Sequence, residues 1–414
     1  MSQLAFDKLE RCRVCDSADL ESILSLGDQV LTGYFPSSVD EDVPTGPLDL
    51  VFCPECKLVQ LAQRYDPNQL YGPHYGYRSG LNGSMVQHLQ RKVHRLQTRA
   101  ELKPGDWVLD IGSNDGTTLG SYTVEGINRV GIDPTSAKFR EYYQPGIHVV
   151  PEFFAADRFH GVDGSEPAKI VTSLAMFYDL EAPVTFATEV KSILAPDGIW
   201  HFEQSYLPTM LNANSFDTIC HEHVSYYSFA SVEQILERAG MKVLDVGFND
   251  INGGSFTITA THVESTMKPN TAVIEWLRAT ERRLGLHTSA PLFEFAERVK
   301  TYVAVLVDLL EKLRDDGQTV VGYGASTKGN VLLQYAGLGS EHIKAIGEIN
   351  PDKYGCVTPG SNIPIVSDEE ARAMNPDYFL VLPWHFRNDI LRRETDYMTS
   401  GGRFLFPLPV PEIV

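Results

Sequence analysis

Positive charge is scarce in this sequence of 414 residues, which contains 35 Lys and Arg but 54 Asp and Glu. The resulting net charge is −19, and no stretch is dense in basic residues. Nucleic acids and anionic membrane surfaces attract clustered Lys and Arg, so neither is an expected partner. The composition favours a small-molecule ligand.

Long hydrophobic runs are also absent. The N-terminal residues, MSQLAFDKLER, contain no apolar stretch of signal-peptide length, and no later segment is apolar for long enough to span a membrane. We expect a cytoplasmic protein with no membrane partner.

Cysteine is rare, and its spacing does not suggest a set of disulfides. Four of the six cysteines form two Cys-x-x-Cys pairs, Cys12 with Cys15 and Cys53 with Cys56, while Cys220 and Cys356 stand apart. In a reducing compartment such pairs are typical metal ligands, and four thiolates can close a tetrahedral zinc site. Because all four ligands are Cys, we predict one structural zinc per chain. Four reduced thiols or a redox pair are the alternatives.

The stretch WVLDIGSNDG, residues 107–116, predicts a strand, a tight turn and a helix. Gly112 and Gly116 allow backbone to approach a ligand closely. A phosphate-binding loop keeps its helix N-terminus free of carboxylates, whereas Asp110 and Asp115 lie in and beside this loop. The ligand is therefore expected to be neutral or cationic at this point.

A second acid, Asp133, ends the next predicted strand about 20 residues later, where a carboxylate can accept hydrogen bonds from both ribose hydroxyls of an adenosine. The pattern resembles the S-adenosylmethionine site of class I methyltransferases. An NAD loop is the alternative, although the G-x-G-x-x-G spacing is missing, and a glycine turn without function is the other. Further candidate donor contacts are Asn114, Pro134, Phe153, Phe154, Ser173 and Leu174.

Strands and helices alternate from residue 107 to about residue 263, which predicts a doubly wound parallel sheet. The strand ends of such a sheet face the ligand crevice. Met176, Tyr178 and Glu203, which follow or end predicted strands, are therefore candidate substrate contacts.

The segment 214–228 departs from a minimal methyltransferase and is dense in polar and aromatic residues, as a polar substrate pocket requires. Within it, Glu222 and His223 are a potential acid/base pair. His221 and His223 can instead ligate a metal, although no third ligand is identified, or form a structural cluster. The linker at 70–80, which includes Tyr77, suits a ligand-covering loop about as well as a packed aromatic connection.

A third unit repeats the strand, glycine loop and helix at residues 319–330. Its loop contains no acid, so the helix N-terminus can hold a phosphate or pyrophosphate. The candidate substrate contacts in this unit and in the glycine turn before it are Gly253, Gly254, Tyr323, Gly324, Ala325, Ser326, Lys328 and Trp384.

Taken together, the two cysteine pairs, VLDIGSNDG, FDTICHEHVSYYSF, GYGASTKGN and GGRFLFPLP resemble the S-adenosylmethionine-dependent nucleotide-sugar C-methyltransferases of deoxysugar pathways. The resemblance spans nearly the whole chain. It implies C-methylation, with C-3' as the expected position, of a TDP- or GDP-linked 4-keto-6-deoxyhexose. It also implies that His223 is the base that removes the ring-carbon proton, with Glu222 as its partner, and that Tyr75 lies over the sugar. Tyr75 or His221 can then stabilise the enolate oxygen.

Two positions depart from the family pattern. Cys220 replaces a tyrosine before the Glu-His pair, and Met176 replaces a histidine after the fourth strand of the methyltransferase sheet. Both positions approach the sugar, so C-5 methylation and sugar O-methylation stay open as alternatives, as does a non-catalytic sugar-nucleotide-binding protein.

The predicted fold is α/β with three parts. They are a four-cysteine zinc-binding module at 1–70, a class I methyltransferase domain with a substrate insertion at 71–265, and a helical connection with a smaller Rossmann-like domain at 266–414.

Overall fold

The computed structural model describes residues 3–70 and 77–414. Tyr75, a candidate catalytic residue, lies outside the described residues. Within those two ranges, no helix is both long enough and apolar enough to cross a bilayer.

The N-terminal region is built from short antiparallel strands. Its elements are β1 (Phe6–Lys8), β2 (Glu21–Val30), β3 (Thr45–Phe52), β4 (Val59–Leu61), β5 (Gln63–Tyr65) and α1 (Pro67–Leu70). Strands β2, β3 and β4 pair in sequence, and β1 pairs with β5. Each cysteine pair lies in a turn of this region, Cys53 and Cys56 between β3 and β4.

The central region forms a seven-stranded sheet flanked by helices. Its elements are α2 (Gly83–Arg99), β6 (Trp107–Ile111), α3 (Thr117–Gly120), β7 (Asn128–Ile132), β8 (Ile147–Val150), α4 (Ala156–His160), β9 (Ala168–Leu174), α5 (Pro183–Ile193), β10 (Leu194–Ser205), α6 (Leu207–Asn212), β11 (Ser225–Tyr226), α7 (Phe229–Arg238), β12 (Met241–Asn249) and β13 (Ser255–His262). The strand order is β12-β13-β10-β9-β6-β7-β8, with only β13 antiparallel to its neighbours. The predicted doubly wound sheet is thus confirmed.

The order of the strands creates a ligand crevice. After β6 the chain adds β7 and β8 on one side, and it then returns to place β9 on the other side of β6. Helices on the two sides therefore diverge at the carboxyl ends of β6 and β9, the usual ligand position in open α/β sheets. Val108, Leu109 and Ile111 are all buried, because helices cover both faces of this central strand.

The C-terminal region carries a second, smaller sheet. Its elements are α8 (Thr271–Arg283), α9 (Ala290–Asp315), β14 (Val320–Tyr323), α10 (Thr327–Tyr335), β15 (Ile346–Glu348), β16 (Ile365–Ser367), α11 (Asp368–Ala373), β17 (Tyr378–Val381), α12 (Arg387–Arg393), α13 (Thr395–Thr399), β18 (Phe404–Phe406) and β19 (Glu412–Ile413). The order is β16-β15-β14-β17-β18-β19, and all pairs except β18 with β19 are parallel. The Rossmann-like prediction is confirmed.

The regions share structure rather than following one another as separate units. Strand β11, from the predicted substrate insertion, pairs with β4 and completes the N-terminal sheet. Helix α10 contacts β2, where the Gln334 side chain exchanges two hydrogen bonds with the backbone of Val30 at 2.8 and 3.1 Å. Apolar residues of β2 to β4, α9 and β14 belong to one continuous core. The exact division at residues 70 and 265 stays a prediction.

Candidate active site

The four cysteines of the two knuckles come together in space. The Sγ atoms of Cys12 and Cys56 lie 3.3 Å apart, those of Cys15 and Cys53 lie 3.4 Å apart, and all four lie within 4.8 Å of one another. Four sulfur atoms about 2.3 Å from a central ion have separations close to these values, so the donor set fits tetrahedral zinc. The amide Nε2 of Gln60 donates to Cys12 Sγ at 3.3 Å, which supports one ligand from outside the cluster. With every position taken by Cys, the site is structural.

The predicted donor loop lies at the carboxyl end of β6, beside the crevice. Gly112 and Gly116 have φ values of +74° and +76°, which only glycine adopts readily. A Cβ on Gly112 would lie 3.0 Å from Cγ of Met176. The lack of a side chain at Gly112 therefore keeps the floor of the crevice open. Asp133 ends β7 next to this loop, and its Oδ2 accepts the backbone N–H of Asn114 at 2.8 Å. The glycine loop fits the methionine part of S-adenosylmethionine, and the Asp133 carboxylate fits its ribose.

Several predicted donor residues have protein partners. Asp110 is 2% exposed and accepts the Thr172 hydroxyl at 2.5 Å, and burial raises the pKa of Asp110 to about 7. The Asn114 Oδ1 accepts the backbone N–H of Ser79 at 2.9 Å, and Asp115 Oδ2 accepts that of Gly80 at 2.8 Å. These residues therefore connect the donor loop to the linker before α2.

The other predicted donor contacts surround the same crevice. Pro134 opens the turn after Asp133, Phe153 is 44% exposed, and Phe154 packs edge to face on Phe186. Ser173 is buried at the end of β9, where its hydroxyl accepts the indole N–H of Trp200 at 3.1 Å, and Leu174 follows it, half-buried. Phe153 and Leu174 have the exposure that contact with an adenosine requires.

His223 lies in the connection between α6 and β11. Its Nδ1 is 2.9 Å from the backbone oxygen of Thr218. A carbonyl oxygen only accepts, so Nδ1 carries the proton and Nε2 has the free electron pair. Burial lowers the pKa of His223 to about 4, which keeps the ring neutral near pH 7. The Tyr178 ring meets the imidazole edge to face at 4.3 Å between centroids.

A small cavity adjoins His223. It is lined by Tyr178, Ser205, Tyr206, Leu207, Met210, Thr218, His223, Ser225 and Tyr226. The hydroxyls of Ser225 and Tyr226 are buried there, and neither has a hydrogen-bond partner within the described chain. Unpaired polar groups in a cavity indicate space for a water molecule or a polar ligand group.

The two neighbours of His223 in the predicted catalytic set point towards the N-terminal region. His221 is fully buried, its Nε2 lies 3.2 Å from the oxygen of Gly46, and its ring packs on Tyr65. A Cβ on Gly33 would lie 2.8 Å from Oε1 of Glu222, so that carboxylate packs against the N-terminal loop. Thr218 rather than Glu222 forms the hydrogen bond to the His223 imidazole. His221 joins no cluster of metal-ligating residues in the two described ranges.

The C-terminal region contributes a cation beside this connection. The Lys328 Nζ donates to the backbone oxygen of Asn252 at 2.8 Å, in the turn before β13. Trp384 donates its indole N–H to Oδ2 of Asp217 at 2.7 Å, and a Cβ on Gly253 would lie 3.8 Å from the Trp384 ring. The structure thus brings together five residues from separate parts of the chain, three of which were predicted as substrate contacts: Gly253, Lys328 and Trp384.

The glycine loop before α10 differs from expectation. The loop itself contains no acid, as the sequence shows, but Oε2 of Glu348, from the end of β15, accepts the N–H of Ala325 at 2.9 Å. A carboxylate therefore already occupies one of the amides that a phosphate would use. Ser326 caps α10 by accepting the N–H of Gly329 at 3.0 Å, and Gly324 has a φ of +79°.

The remaining predicted substrate contacts differ in exposure: two are buried and one is exposed. Tyr323 donates to Glu394 at 2.8 Å and packs on Phe379 inside the C-terminal sheet, and Cys220 is 3% exposed. Tyr77, by contrast, is 51% exposed. Gly254 follows Gly253 in the turn where Lys328 docks.

The buried charged network around Glu203 was not predicted from the sequence. Glu203, at the end of β10, lies 2.7 Å from Nε2 of His88 and 2.9 Å from Nζ of Lys92, both on α2. Asn249 donates to the same carboxylate at 2.5 Å. Burial alone would raise the pKa of Glu203, but His88 and Lys92 outweigh it and lower that pKa to about 2. The signal was available, since Lys92 interrupts the apolar face of α2 one residue before Val93.

Comparisons with known proteins show the family of the chain. Family models match residues 12–71 ("Putative zinc binding domain"), 82–246 ("Methyltransferase domain") and 250–409 ("C-methyltransferase C-terminal domain"). The C-methyltransferase NovU of Streptomyces niveus is 35% identical over 416 residues, which cover 98% of this chain and 97% of NovU.

Solved structures match part of the chain at low identity. A complex of the Haloferax volcanii Trm112 methyltransferase activator with a methyltransferase matches at 16% identity and a TM-score of 0.34, over 44% of this chain and 95% of that chain. An S-adenosylmethionine-dependent methyltransferase of Clostridium acetobutylicum matches at 12% identity and a TM-score of 0.33, over 43% of this chain and 92% of that chain.

Proposed function

Because the chain belongs to the S-adenosylmethionine-dependent C-methyltransferases, we propose that it methylates a nucleotide-linked 4-keto-6-deoxyhexose at a carbon beside the ketone, with C-3' as the position. Its cofactors are S-adenosylmethionine and a structural zinc ion. Because a four-thiolate zinc site requires reduced cysteines, we also propose a cytoplasmic location.

The observation that carries the proposal is the state of His223. Its Nδ1 proton is held by the Thr218 carbonyl, so Nε2 is the atom that can accept a proton. A C–H beside a ketone is a weak acid, and its removal requires a base within hydrogen-bond reach and stabilisation of the enolate oxygen. The neutral imidazole, beside a cavity with unpaired hydroxyls, supplies the base.

The reaction balances with these groups. His223 Nε2 takes the ring-carbon proton, the C–H electron pair forms a carbon–carbon double bond, and the carbonyl electron pair moves to oxygen. The enolate carbon then bonds to the methyl group of S-adenosylmethionine, the methyl–sulfur bond breaks with its electron pair staying on sulfur, and S-adenosylhomocysteine leaves. The ketone re-forms, and His223 releases its proton to solvent. The protein contributes positioning and exclusion of water to the methyl transfer.

The substrate class is supported by the position of the site between regions. The base comes from the insertion before β11, the methyl donor from the crevice at β6, and Lys328 and Trp384 from the C-terminal region. A sugar linked to a nucleoside diphosphate is long enough to reach all three. We therefore assign the nucleotide to the C-terminal region, with a TDP- or GDP-linked sugar as the substrate.

The test is incubation of the zinc-loaded protein and S-adenosylmethionine with TDP- and GDP-linked 4-keto-6-deoxyhexoses. The expected product is heavier by one methylene, with the new methyl signal coupled to a ring carbon by NMR. A sugar reduced at C-4 is the matched control and should not react. A methyl signal typical of an ether would indicate O-methylation instead, and no transfer to any member of the panel would contradict the proposed substrate class.

A further inference from the structure

A single hydrogen bond does not fix the plane of the His223 ring. Its Nδ1 donates to the Thr218 carbonyl oxygen at 2.9 Å, and the ring can tilt about this bond unless a neighbour packs against it. Proton removal from carbon depends on the place and direction of the free electron pair on Nε2, and a displacement of about 1 Å can cost on the order of 10² in rate. A side chain that packs on this ring therefore affects the chemistry.

Tyr178 is in direct contact with the ring of the base. The centroids of the two rings lie 4.3 Å apart, and their planes meet at 62°. Aromatic pairs of this kind usually have centroid separations of about 4.5–7 Å, so there is no room for a water molecule between these two rings. Tyr178 and His223 also line the same small cavity. The imidazole thus has a carbonyl oxygen at Nδ1 and an aromatic ring against its side.

The turn that contains Tyr178 is anchored in the core of the central region. This turn, Phe177–Asp179, comes shortly after β9, and Phe177 is fully buried. The Phe177 ring contacts Trp200 and Phe202 of β10, with centroids 5.4 and 5.1 Å apart. Because these core contacts hold the backbone of the turn, they also limit where the Tyr178 ring can lie.

A second aromatic pair joins the same turn to the segment that contains the base. Phe177 stacks on Tyr227 with 5.3 Å between centroids and 25° between planes, and the Tyr227 hydroxyl lies 3.5 Å from the backbone oxygen of Phe177. Tyr227 directly follows β11 and is fully buried. Two adjacent residues of the turn, Phe177 and Tyr178, therefore contact two rings of one short segment, His223 and Tyr227.

The position of the turn in the sheet connects the base to the donor crevice. Met176, directly before the turn, lies beside the donor loop, since a Cβ on Gly112 would be 3.0 Å from its Cγ. Tyr178 lies two residues further along the chain and contacts His223. The stretch 176–178 thus borders the donor loop at one end and the base at the other. It can fix the distance between the methyl donor and the group that takes the proton.

The Tyr178 ring also contributes to the burial of the imidazole. Burial lowers the pKa of His223 to about 4, and Tyr178 is itself only 9% exposed. A smaller side chain at this position would admit water and remove part of that effect. The other titratable groups of the cavity, of the turn and of the His223 segment, with the charged group that also lowers the pKa of His223, are Tyr206, Tyr226, Asp179, Cys220, Glu222 and Lys328.

We propose that Tyr178 is a positioning residue, whose ring holds the His223 imidazole against the Thr218 carbonyl so that Nε2 keeps a fixed direction relative to the donor crevice. This inference rests on the proposed function, in which His223 Nε2 takes the ring-carbon proton. Tyr178 was predicted as a substrate contact, and the inference gives its ring a role towards the base. The residue itself neither gains nor loses a proton in the reaction.

The first measurement needs no substrate. Tyr178→Phe keeps the ring, Tyr178→Leu and Tyr178→Met remove it and keep an apolar side chain, and Tyr354→Leu is the matched control on an exposed tyrosine. The zinc-loaded proteins, labelled with ¹⁵N in histidine, are titrated by NMR, and the His223 signals are assigned by their absence from His223→Asn. Two-bond ¹H–¹⁵N couplings show which ring nitrogen carries the proton.

The wild type, Tyr178→Phe and Tyr354→Leu should show one tautomer of His223, with the proton on Nδ1, and a ring that stays neutral down to about pH 5. Tyr178→Leu and Tyr178→Met should show both tautomers and a pKa closer to the ordinary value of about 6.5, because water replaces part of the protein around the ring. A single tautomer with the wild-type titration in both variants would overturn the inference, whatever the substrate is.

The second measurement gives the catalytic consequence. Exchange of solvent deuterium into TDP-4-keto-6-deoxyglucose is followed by NMR without a methyl donor, and S-adenosylmethionine affinity is measured by calorimetry. Tyr178→Leu should lower the saturated exchange rate by on the order of 10–10² and keep the Kd of S-adenosylmethionine within about threefold, while Tyr178→Phe retains most of the rate.

An equal loss of exchange in Tyr178→Phe would assign the effect to the hydroxyl and overturn the role of the ring. An unchanged exchange rate in Tyr178→Leu with a lower melting temperature would show a merely structural contact, which also overturns the inference. Absence of exchange by the wild type with every sugar of the panel would contradict the proposed function, whereas the histidine spectra would still decide whether Tyr178 positions the ring.

Discussion

At the scale of single residues, Asp133 is the predicted ribose acceptor and also accepts hydrogen bonds from the protein backbone. We predicted it as the ribose acceptor, and the structure adds that Oδ1 accepts the N–H of Thr135 at 2.6 Å while Oδ2 accepts that of Asn114. Asp133→Ala should weaken S-adenosylmethionine binding by about 1–3 kcal/mol, since the charge-assisted hydrogen bonds are lost. Asp157→Ala, the same change on an exposed acid, is the control. Calorimetry that gives equal affinities for both variants would contradict the role.

The lowered pKa of His223 predicts an unusual dependence of kcat/KM on pH. We propose the neutral ring as the base, so activity should be lost as pH falls through the pKa of His223, which burial has lowered from about 6.5 to about 4. The value of kcat/KM should therefore stay constant between pH 8 and pH 6, where a base with an ordinary pKa of about 6.5 would already have lost about fourfold. An acid limb with its midpoint near pH 6.5 would show that another group, or an exposed His223, is the base.

Site residues could be predicted from the sequence where the local spacing of residues determines a turn or a loop. The two Cys-x-x-Cys pairs define their turns and meet as expected, and the glycines after β6 have the positive φ that the motif implies. The partner of His223 could not be predicted, because the Thr218 carbonyl is a backbone group that the sequence does not distinguish. The carboxylate at Ala325 comes from Glu348 on the next strand and depends on how β15 lies against β14.

At the scale of elements, β11 links the zinc-binding turn to the segment that contains His223. Cys53 and Cys56 lie in the turn between β3 and β4, β4 pairs with β11, and β11 begins two residues after His223. A zinc ion that fixes this turn therefore also supports the position of the base. Loss of the metal is expected to reach the chemistry through this strand pairing.

Cys53→Ser tests the zinc site itself. The variant should lose most of its zinc, melt at a lower temperature, and bind S-adenosylmethionine nearly as the wild type does, because the donor crevice belongs to another sheet. Cys356→Ser, which removes a thiol outside the cluster, should retain zinc and stability. Elemental analysis with about one zinc per Cys53→Ser chain, or no zinc in the wild type purified without chelator, would contradict the site.

Helix and strand bounds were predictable where the apolar pattern was strong. Helix α2 runs from Gly83 to Arg99, and its apolar residues Leu89, Val93 and Leu96, which recur at helical spacing in the sequence, are buried. The pattern gave no sign that β11 joins the N-terminal sheet, because two residues are too few to show strand periodicity. The network of Glu203 with α2 was missed because its members lie more than 100 positions apart.

At the scale of the whole molecule, the N-terminal region supports the C-terminal one. Gln334 of α10 bonds both the N–H and the oxygen of Val30 at the end of β2, and Asn330 donates to the oxygen of Thr32 at 2.8 Å. Lys328 lies in the first turn of this same helix, directly after the glycine loop. The N-terminal region thus contacts both the segment that contains His223, through β11, and the helix that contains Lys328.

Gln334→Ala should leave two backbone groups of Val30 without partners, at a cost of about 1–3 kcal/mol. We expect a lower melting temperature and faster hydrogen exchange in both β2 and α10, measured by mass spectrometry. Gln87→Ala, an exposed glutamine on α2, is the control. Faster exchange in α10 alone would show that the two regions are not coupled through this contact.

The central claim is that His223 creates a carbon nucleophile beside a ketone. The most direct test is incorporation of solvent deuterium at that carbon of TDP-4-keto-6-deoxyglucose without a methyl donor, in the wild type and in His223→Asn. Asparagine has a similar size and cannot take up the proton, so the variant should fold, bind S-adenosylmethionine, and lose on the order of 10²–10⁴ in exchange rate, whereas the wild type exchanges readily. Normal exchange in His223→Asn together with failed methylation would contradict the account and assign proton removal to another group.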